Sequence, residues 1–533
     1  MLRLAPLVRS SAYWGAPTSR RSRARPRSML ERLAKALRGS GGPAAAAGAV
    51  ATQDPLSDAP LSWEQLGEAC TGLEAEVGAK FDDPEDPRGP MQSKSLLQLF
   101  GGDTEADVRV VLYRDTAAWC PYCAKVWLYL FERRISFRVV KVPLRCYGDK
   151  PASFLAKVPS GMLPAVELDG QLLTESDAIM RTLEDVFPDN KLLPPAGSKD
   201  AAVARDMLRL ERQLFSRWMQ WLTSSWANEQ GRESFEEVCD AVCVALESRP
   251  GAYFMGEELS YVDVCYSSFL ERITASLVYY KGLVVRGRED GRWAALDRWF
   301  DAMESRETYR RQKSDFYTHC QDLPPQLGGC APVEAGAPYR ETIDGEAADE
   351  RGWAVLGNGA DAPEGHGALV GAAREALVYP RDVSGVKGGG PAYARLEAAR
   401  SLISNHEAVL RFSMRGVAGE RMGGVGAKLA DPRATVSKSA SEEQWAAADA
   451  ALRHTAATLL ATTASAAGID MPSLSAYESE ADAAGVLRGS GAELPADAAA
   501  AATAYLRARV GVPRDMSYPA ARQLRAALSL FCA

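Results

Sequence analysis

Apolar positions along the chain change period several times, and each change marks an element. Residues 108–113 are rich in β-branched side chains and predict a strand. Residues 124–135 are apolar at helical spacing, and 136–142 return to a strand pattern. Residues 165–168 and 171–173 flank Asp169-Gly170, the turn signal of a hairpin, ahead of helical spacing over 176–187. This order, β-α-β then β-β-α, predicts an α/β thioredoxin-like domain over residues 106–195, a mixed sheet covered by helices. Residues 196–330 predict an all-α domain. Positions 201–310 are helical in pattern, with Trp218, Trp221, Trp226, Trp293 and Trp299 marking a core. Ser260 followed three residues on by Asp263 is a capping-box variant that opens a helix. Residues 316–330, rich in Pro and Gly, read as an irregular closing segment.

The flanks are different in kind. Residues 63–81 have helical apolar spacing at Leu66, Cys70, Leu73 and Val77, and 82–90 is rich in Pro and Asp, so 54–105 reads as a leading helix and linker. Past Cys330 the sequence turns to Gly, Ala and acid, which predicts a linker over 331–375. Residues 376–533 predict an additional, mostly α-helical module, with helices over 392–415, 442–467 and 497–510. Tyr379-Pro380-Arg381-Asp382-Val383-Ser384 echoes Val512-Pro513-Arg514-Asp515-Met516-Ser517, each ahead of a helical stretch. Two copies do not make a repeat array.

Charge separates the N-terminus from the rest. Nine Arg and Lys35 against Glu31 leave residues 1–53 at +9, so the other 480 residues carry −16 of the net −7. A body that acidic excludes a nucleic-acid partner that reads phosphates through a cationic face. Residues 1–53, rich in Arg and Ser with one acid, read as an organellar transit peptide; a secretory signal needs an apolar core that is missing here. Composition alone does not separate chloroplast from mitochondrion, and a basic tail that stays attached is the plainer alternative. No apolar run approaches the length of a membrane span. Ten Cys in 533 residues are too few for a disulfide scaffold.

Candidate chemistry concentrates at Cys120-Pro121-Tyr122-Cys123, between the first strand and first helix of the α/β unit. Unpaired amides and the helix dipole favour negative charge there, so Cys120 is placed to react as thiolate. Pro121 fits the first helical turn, and Cys123 is within reach to resolve a mixed disulfide. Two buried structural thiols, or half of a zinc site, are the alternatives. Zinc wants a second pair at matched spacing, and neither Cys239 with Cys243 nor His319, Cys320 and Cys330 supplies one, so no metal is expected. Leu163-Pro164 leads into the third strand, where Leu163 offers backbone pairing to an extended peptide thiol. Glu175-Ser176 opens a helix, where amides and a hydroxyl capture a carboxylate and Glu175 an amine; plain helix capping is the simpler reading. Backbone pairing, carboxylate capture and amine capture together suit glutathione.

Together the Cys-Pro-Tyr-Cys motif, Leu163-Pro164, Glu175-Ser176 and the Ser260-to-Asp263 box resemble a cysteine-type glutathione transferase over about residues 106–330. The motif resembles that of dithiol glutaredoxins. The omega class is the nearest standard relative, and the extra C-terminal region makes the chain most similar to the iota class of photosynthetic organisms. Arg114-Asp115-Thr116-Ala117-Ala118-Trp119 and Asp322-Leu323-Pro324-Pro325-Gln326-Leu327-Gly328-Gly329-Cys330 also look like that group. The resemblance implies Cys120 as nucleophile, with Tyr122, Lys150, Leu163, Pro164, Glu175 and Ser176 around glutathione, which serves as co-substrate. It implies a chloroplast address and leaves a homodimer open. Cys123 departs from the single active Cys usual in the omega class and admits an intramolecular disulfide. The function implied is reduction of glutathionylated proteins, small mixed disulfides or dehydroascorbate. A glutathione-anchored carrier of hydrophobic ligands, with Trp218, Trp221, Trp226, Tyr279 and Tyr280 along a groove, is the rival from another class. An iron–sulfur cluster bridging two chains is a third, against which Pro121 stiffens the motif. Residues 331–533 receive no role from the resemblance.

Overall fold

The computed structural model describes residues 61–144, 149–225, 228–288, 290–345, 382–417, 440–477 and 496–530. The stretch read as a transit peptide, Trp226 and most of the stretch read as a linker lie outside them. In chain order the first elements are α1 (Trp63–Val77), β1 (Leu97–Gln98), β2 (Val110–Asp115), α2 (Pro121–Arg133), β3 (Phe137–Val142), α3 (Ala152–Lys157), β4 (Ala165–Leu168), β5 (Gln171–Thr174) and α4 (Ser176–Val186). The strands form one sheet in the order β1-β3-β2-β4-β5. β2 and β3 run parallel, with Val110 opposite Phe137, while β4 runs antiparallel to β2, with Tyr113 opposite Ala165. This is the mixed sheet of a thioredoxin-like domain. α2 starts on Pro121 and stops at Arg134, which takes a left-handed conformation. It is buried over almost its whole length because the sheet packs on one side and the helical domain on the other.

That domain follows as α5 (Lys199–Thr223), α6 (Asn228–Glu247), α7 (Tyr261–Ser276), α8 (Ala294–Ser305), α9 (Glu307–Gln312) and α10 (Phe316–Leu327). α7 is buried at every position and continues as a π-turn over Leu277–Lys281. Its capping box has both halves. Asp263 accepts the amide (2.9 Å) and hydroxyl (2.6 Å) of Ser260, and also the Phe254 amide and the Trp299 indole. The segment expected to be irregular from 316 onward is helical through Leu327. Asp315 caps its first turn, and the prolines fall in its last. Pro324 has no N–H for the Cys320 carbonyl, and the Tyr280 hydroxyl bonds that carbonyl instead (2.7 Å). The described beginning of the stretch expected as linker is also folded, as α11 (Ala337–Ile343). It is pinned because Val333 N–H donates to Tyr280 O (2.8 Å) and Tyr279 Oη donates to Asp344 (2.8 Å). Gly336 lies so close to the Tyr279 carbonyl that a Cβ would meet it at 2.4 Å.

Beyond residue 382 come α12 (Gly389–Ser404), α13 (His406–Val417), α14 (Glu442–Ala467), α15 (Ala496–Arg507) and α16 (Tyr518–Ser529). The helix expected over 392–415 is thus two, broken at Asn405. The leading helix α1 buries Leu66, Cys70, Leu73 and Val77 in the core of these helices and not against the sheet. Trp63 stacks on His406 and donates to Asp449 (2.8 Å). Glu397, on the helix after the first echoed segment, accepts the amide (2.7 Å) and hydroxyl (2.6 Å) of Ser517, at the end of the second. A cleft of about 280 Å³ opens where residues 82–94, the α9–α10 turn and this module converge. Arg311, Ser314, Tyr393, Glu397 and Pro513 are among its walls, and no residue of the 120–123 motif lines it. Among the described residues no helix is long and apolar enough to cross a membrane.

Asp263→Ala leaves four donors without their acceptor inside the core. It is expected to lower unfolding free energy by about 3 kcal/mol or more. The urea midpoint measures this, and a loss under about 1 kcal/mol would show that the box does not hold α7.

Candidate functional site

The site grows from the end of β2. Asp115, buried there, accepts the amides of Trp119 (2.7 Å) and Cys120 (3.0 Å) and so folds residues 116–119 back beneath the start of α2. Cys120 becomes the residue immediately ahead of the first helical turn, with Pro121 at the first helical position. Both thiols of the motif are free and buried. Burial pushes the Cys123 thiol well above its ordinary range, and its hydrogen bond to the Cys120 sulfur pushes the same way. Cys123 therefore holds its proton. Two fully buried cations flank the pair. Arg272, from α7, donates to the Trp119 carbonyl and lies 4.6 Å over the Trp119 ring. Burial lowers its pKa, while Glu271, Cys120 and Asp115 pull it back up. Arg114 stacks 4.5 Å over Trp127 and donates to the Asp115 carbonyl (2.8 Å).

Sheet register brings several sequence-derived residues to this same end. Tyr113 faces Ala165 and Ala165 faces Thr174, so Leu163-Pro164 and Glu175-Ser176 flank the strand end from which the Cys120 loop departs. The Leu163–Pro164 peptide is cis. Glu175 has a φ of 68°, leaves its side chain exposed and makes no side-chain cap bond. Lys150 donates to the Pro143 carbonyl (2.9 Å), one residue past the partner of Asp115 on β3, which anchors it near the same end. Tyr122 turns toward the helical domain, edge-on to Phe269 and bonded to Arg212. Lys125 is drawn off the thiols: it is buried 3.4 Å from Glu211 and lies over Phe269. Trp218 and Trp221 are buried in helix packing, which takes them out of the groove that a carrier would need.

Sequence reasoning missed Asp115, Arg272 and the role of His319. Asp115 and Trp119 stand in the Arg-Asp-Thr-Ala-Ala-Trp stretch, but nothing local announces a buried carboxylate under the motif. His319 accepts the Trp119 indole N–H at Nδ1 (3.0 Å), and its Nε2 is 3.4 Å from Glu271. A carboxylate oxygen of Asp115 and the two sulfurs lie within 4.8 Å of one another. They offer three of the four ligands of a closed zinc site, and no fourth joins them among the described residues.

With this geometry in view, the comparisons fit. Residues 119–186 match the family model described as glutathione S-transferase, N-terminal domain. The chain is 26% identical over 200 residues to glutathione S-transferase DHAR2 of Arabidopsis thaliana, spanning 38% of this chain and 86% of that protein. It is 26% identical over 164 residues to glutathione S-transferase DHAR3, chloroplastic, of the same plant, spanning 30% of this chain and 58% of that protein. Among solved structures, glutathione transferase Omega 3C of Trametes versicolor is 24% identical, with a TM-score of 0.34, over 39% of this chain and 90% of that one. The chain thus carries a glutathione S-transferase-type N-terminal domain followed by an all-helical one, and each likeness spans less than half of its length.

Burial lowers His319 to about 4, from an ordinary 6.5. The unfolded chain then takes up a proton before the folded one does, so stability falls as pH drops from about 6.5 toward 4. The loss at this residue is about 3 kcal/mol. His454, also lowered to about 4 by burial, adds in the same direction. Urea titrations between pH 7 and 4.5 measure the slope, and His319→Gln is expected to flatten it. An unchanged slope in that variant would mean that His319 takes up its proton in the fold as readily as in the unfolded chain.

Proposed function

We propose that this chain is a glutathione-dependent thiol transferase of the cysteine type, most similar to the iota class, with Cys120 as nucleophile. The observation that supports this reading is the Cys120–Cys123 pair at the head of α2, both thiols free, with burial holding the proton on the inner one. In the reaction the Cys120 thiolate attacks the glutathionyl sulfur of a glutathionylated protein or small mixed disulfide. The old S–S bond breaks, its other sulfur leaves as a thiolate and takes up a proton, and the glutathionyl group is now on Cys120. A glutathione thiolate then attacks that group, forming oxidised glutathione and freeing Cys120. Alternatively, Cys123 loses its proton and attacks Cys120, which expels glutathione and leaves an intramolecular disulfide. Dehydroascorbate reduction draws on the same thiolate, with two glutathiones oxidised per molecule reduced.

In this reading Leu163 pairs through its backbone with the cysteinyl part of glutathione, beside Pro164. Glu175 and Ser176 hold the γ-glutamyl end, Lys150 the glycyl carboxylate, and Tyr122 borders the thiol. Conjugation of glutathione to electrophiles is disfavoured, because it needs a group that activates the glutathione thiol without bonding to it. We extend the proposal to a chloroplast address for residues 1–53, in line with the basic, Ser-rich composition there.

The test is turnover of the full chain with glutathione and a small mixed disulfide, and separately with a protein disulfide. Cys120→Ser is expected to fall to the uncatalysed background on both. Cys123→Ser is expected to keep most of the first activity and lose the second. Substantial turnover in Cys120→Ser would overturn the assignment, and an inactive wild type that retains a hydrophobic ligand would favour the carrier reading.

A further inference from the structure

α10 touches both the nucleophile's loop and the C-terminal module, one turn apart. At its first turn the buried Asp315 caps the Thr318 amide (3.2 Å) and pairs with Arg525 of α16. Arg525 also donates to Thr318 Oγ1 (2.9 Å) and to the Val510 carbonyl (2.6 Å), and its guanidinium lies 4.3 Å over Tyr317. Both members of the ion pair are fully enclosed, so the guanidinium is fixed by its partners and not by solvent. The turn is held from a second side, where Val512 N–H donates to Thr318 Oγ1 (3.2 Å) and the Ser314 hydroxyl to the Val512 carbonyl. His319 is the next residue of that turn, and its own amide bonds the Asp315 carbonyl (3.1 Å). Its Nδ1 receives the indole N–H of Trp119, the neighbour of Cys120. Four steps therefore join the module to the nucleophile: Arg525 to Asp315 and Thr318, these to His319, His319 to Trp119, and Trp119 to Cys120.

We propose that Arg525 is a positioning residue for Cys120: by clamping the first turn of α10 it holds His319 where it fixes Trp119, so that the C-terminal module sets the geometry of the reactive thiol. This rests on the reading of Cys120 as nucleophile. The buried pair has one well-satisfied arrangement. If Arg525 is removed, Asp315 is left as an uncompensated buried charge beside His319. The turn then has to move, or the carboxyl to take up a proton, and either alters the acceptor offered to Trp119. The charged and titratable groups around Cys120 itself are Asp115 from β2, Tyr122 and Cys123 from α2, and Arg272 from α7. Arg272 is tied to Trp119 as well, so a shift of that residue reaches the electrostatics of the thiol.

The experiment follows the pH dependence of Cys120 alkylation by iodoacetamide in the full chain, read by mass spectrometry of the modified peptide. It runs on wild type, Arg525→Met, Arg525→Lys, Asp315→Asn/Arg525→Met, His319→Gln and Arg525→Met/His319→Gln. Alkylation needs no glutathione, so an enzyme inactive toward disulfides would still report on the thiol, and the two readings fail separately. Arg525→Met is expected to change the alkylation rate by roughly 2- to 30-fold and to displace the profile along the pH axis. Arg525→Lys should recover part of the change. His319→Gln should reproduce it, and the Arg525→Met/His319→Gln combination should add little beyond either single change. The Asp315→Asn/Arg525→Met variant removes both charges and serves where Arg525→Met alone does not fold. Wild-type profiles in the folded Arg525 variants would overturn the proposal. So would an unchanged profile in His319→Gln, which breaks the link whatever becomes of Arg525.

Discussion

One buried carboxylate organises the centre of this molecule. Asp115 ends β2 and takes the amides of Trp119 and Cys120, so the chain must turn back on itself before α2 begins. Charge-assisted bonds from two amides are strong where water is excluded, and they repay part of the cost of burying the anion. The consequences spread outward. Cys120 falls at the head of α2, where orphan amides favour negative charge. The carbonyl and ring of Trp119 are turned toward the helical domain, where Arg272 and His319 meet them. The contact between sheet and helices is therefore built on the residue next to Cys120, and the loop cannot relax without disturbing both domains.

The same arrangement gives the two thiols different surroundings. Cys123 is enclosed, and burial, reinforced by the neighbouring Cys120, keeps the proton on the inner sulfur. Burial thus distinguishes the two sulfurs chemically: the more enclosed one keeps its proton, and the other sits at the head of α2.

Much of this was legible in the sequence wherever the signal is local. The strands of the sheet, the Asp169-Gly170 hairpin, the helix after Cys120 and the Ser260 box have short-range periods or caps, and these appear where the pattern places them. Register then does what spacing cannot, carrying Leu163-Pro164 and Glu175 to the end of β2. The failures share a cause, which is rescue from a distance. Pro324 and Pro325 argue for an irregular segment until the Tyr280 hydroxyl serves the carbonyl that proline leaves open. Residues 331–345 look like linker until Tyr279 and Tyr280 pin them. α1 looks like an appendage because its partners are more than three hundred residues away. Arg272 and His319 are invisible for the same reason, since neither has meaning until the fold brings it to Trp119.

The C-terminal module presses the point further. Its own core interleaves leucines such as Leu396, Leu459 and Leu524 with alanines such as Ala398, Ala457 and Ala521, and it includes α1. Its junction with the transferase-like body is of another character: Arg525 on Asp315, Ser314 on the Val512 carbonyl, Ser93 on the Pro513 carbonyl. Apolar faces tolerate sliding, whereas a buried ion pair with matched hydrogen bonds has one satisfied register and leaves costly orphans in any other. A junction of this kind contributes direction more than adhesion. Because α1 lies ahead of the sheet in the chain and folds with the module behind it, the body is bracketed from both ends of the described sequence. The module is therefore not a tethered passenger: its seat on α10 is specified residue by residue, one helical turn from His319 and its bond to the Trp119 indole.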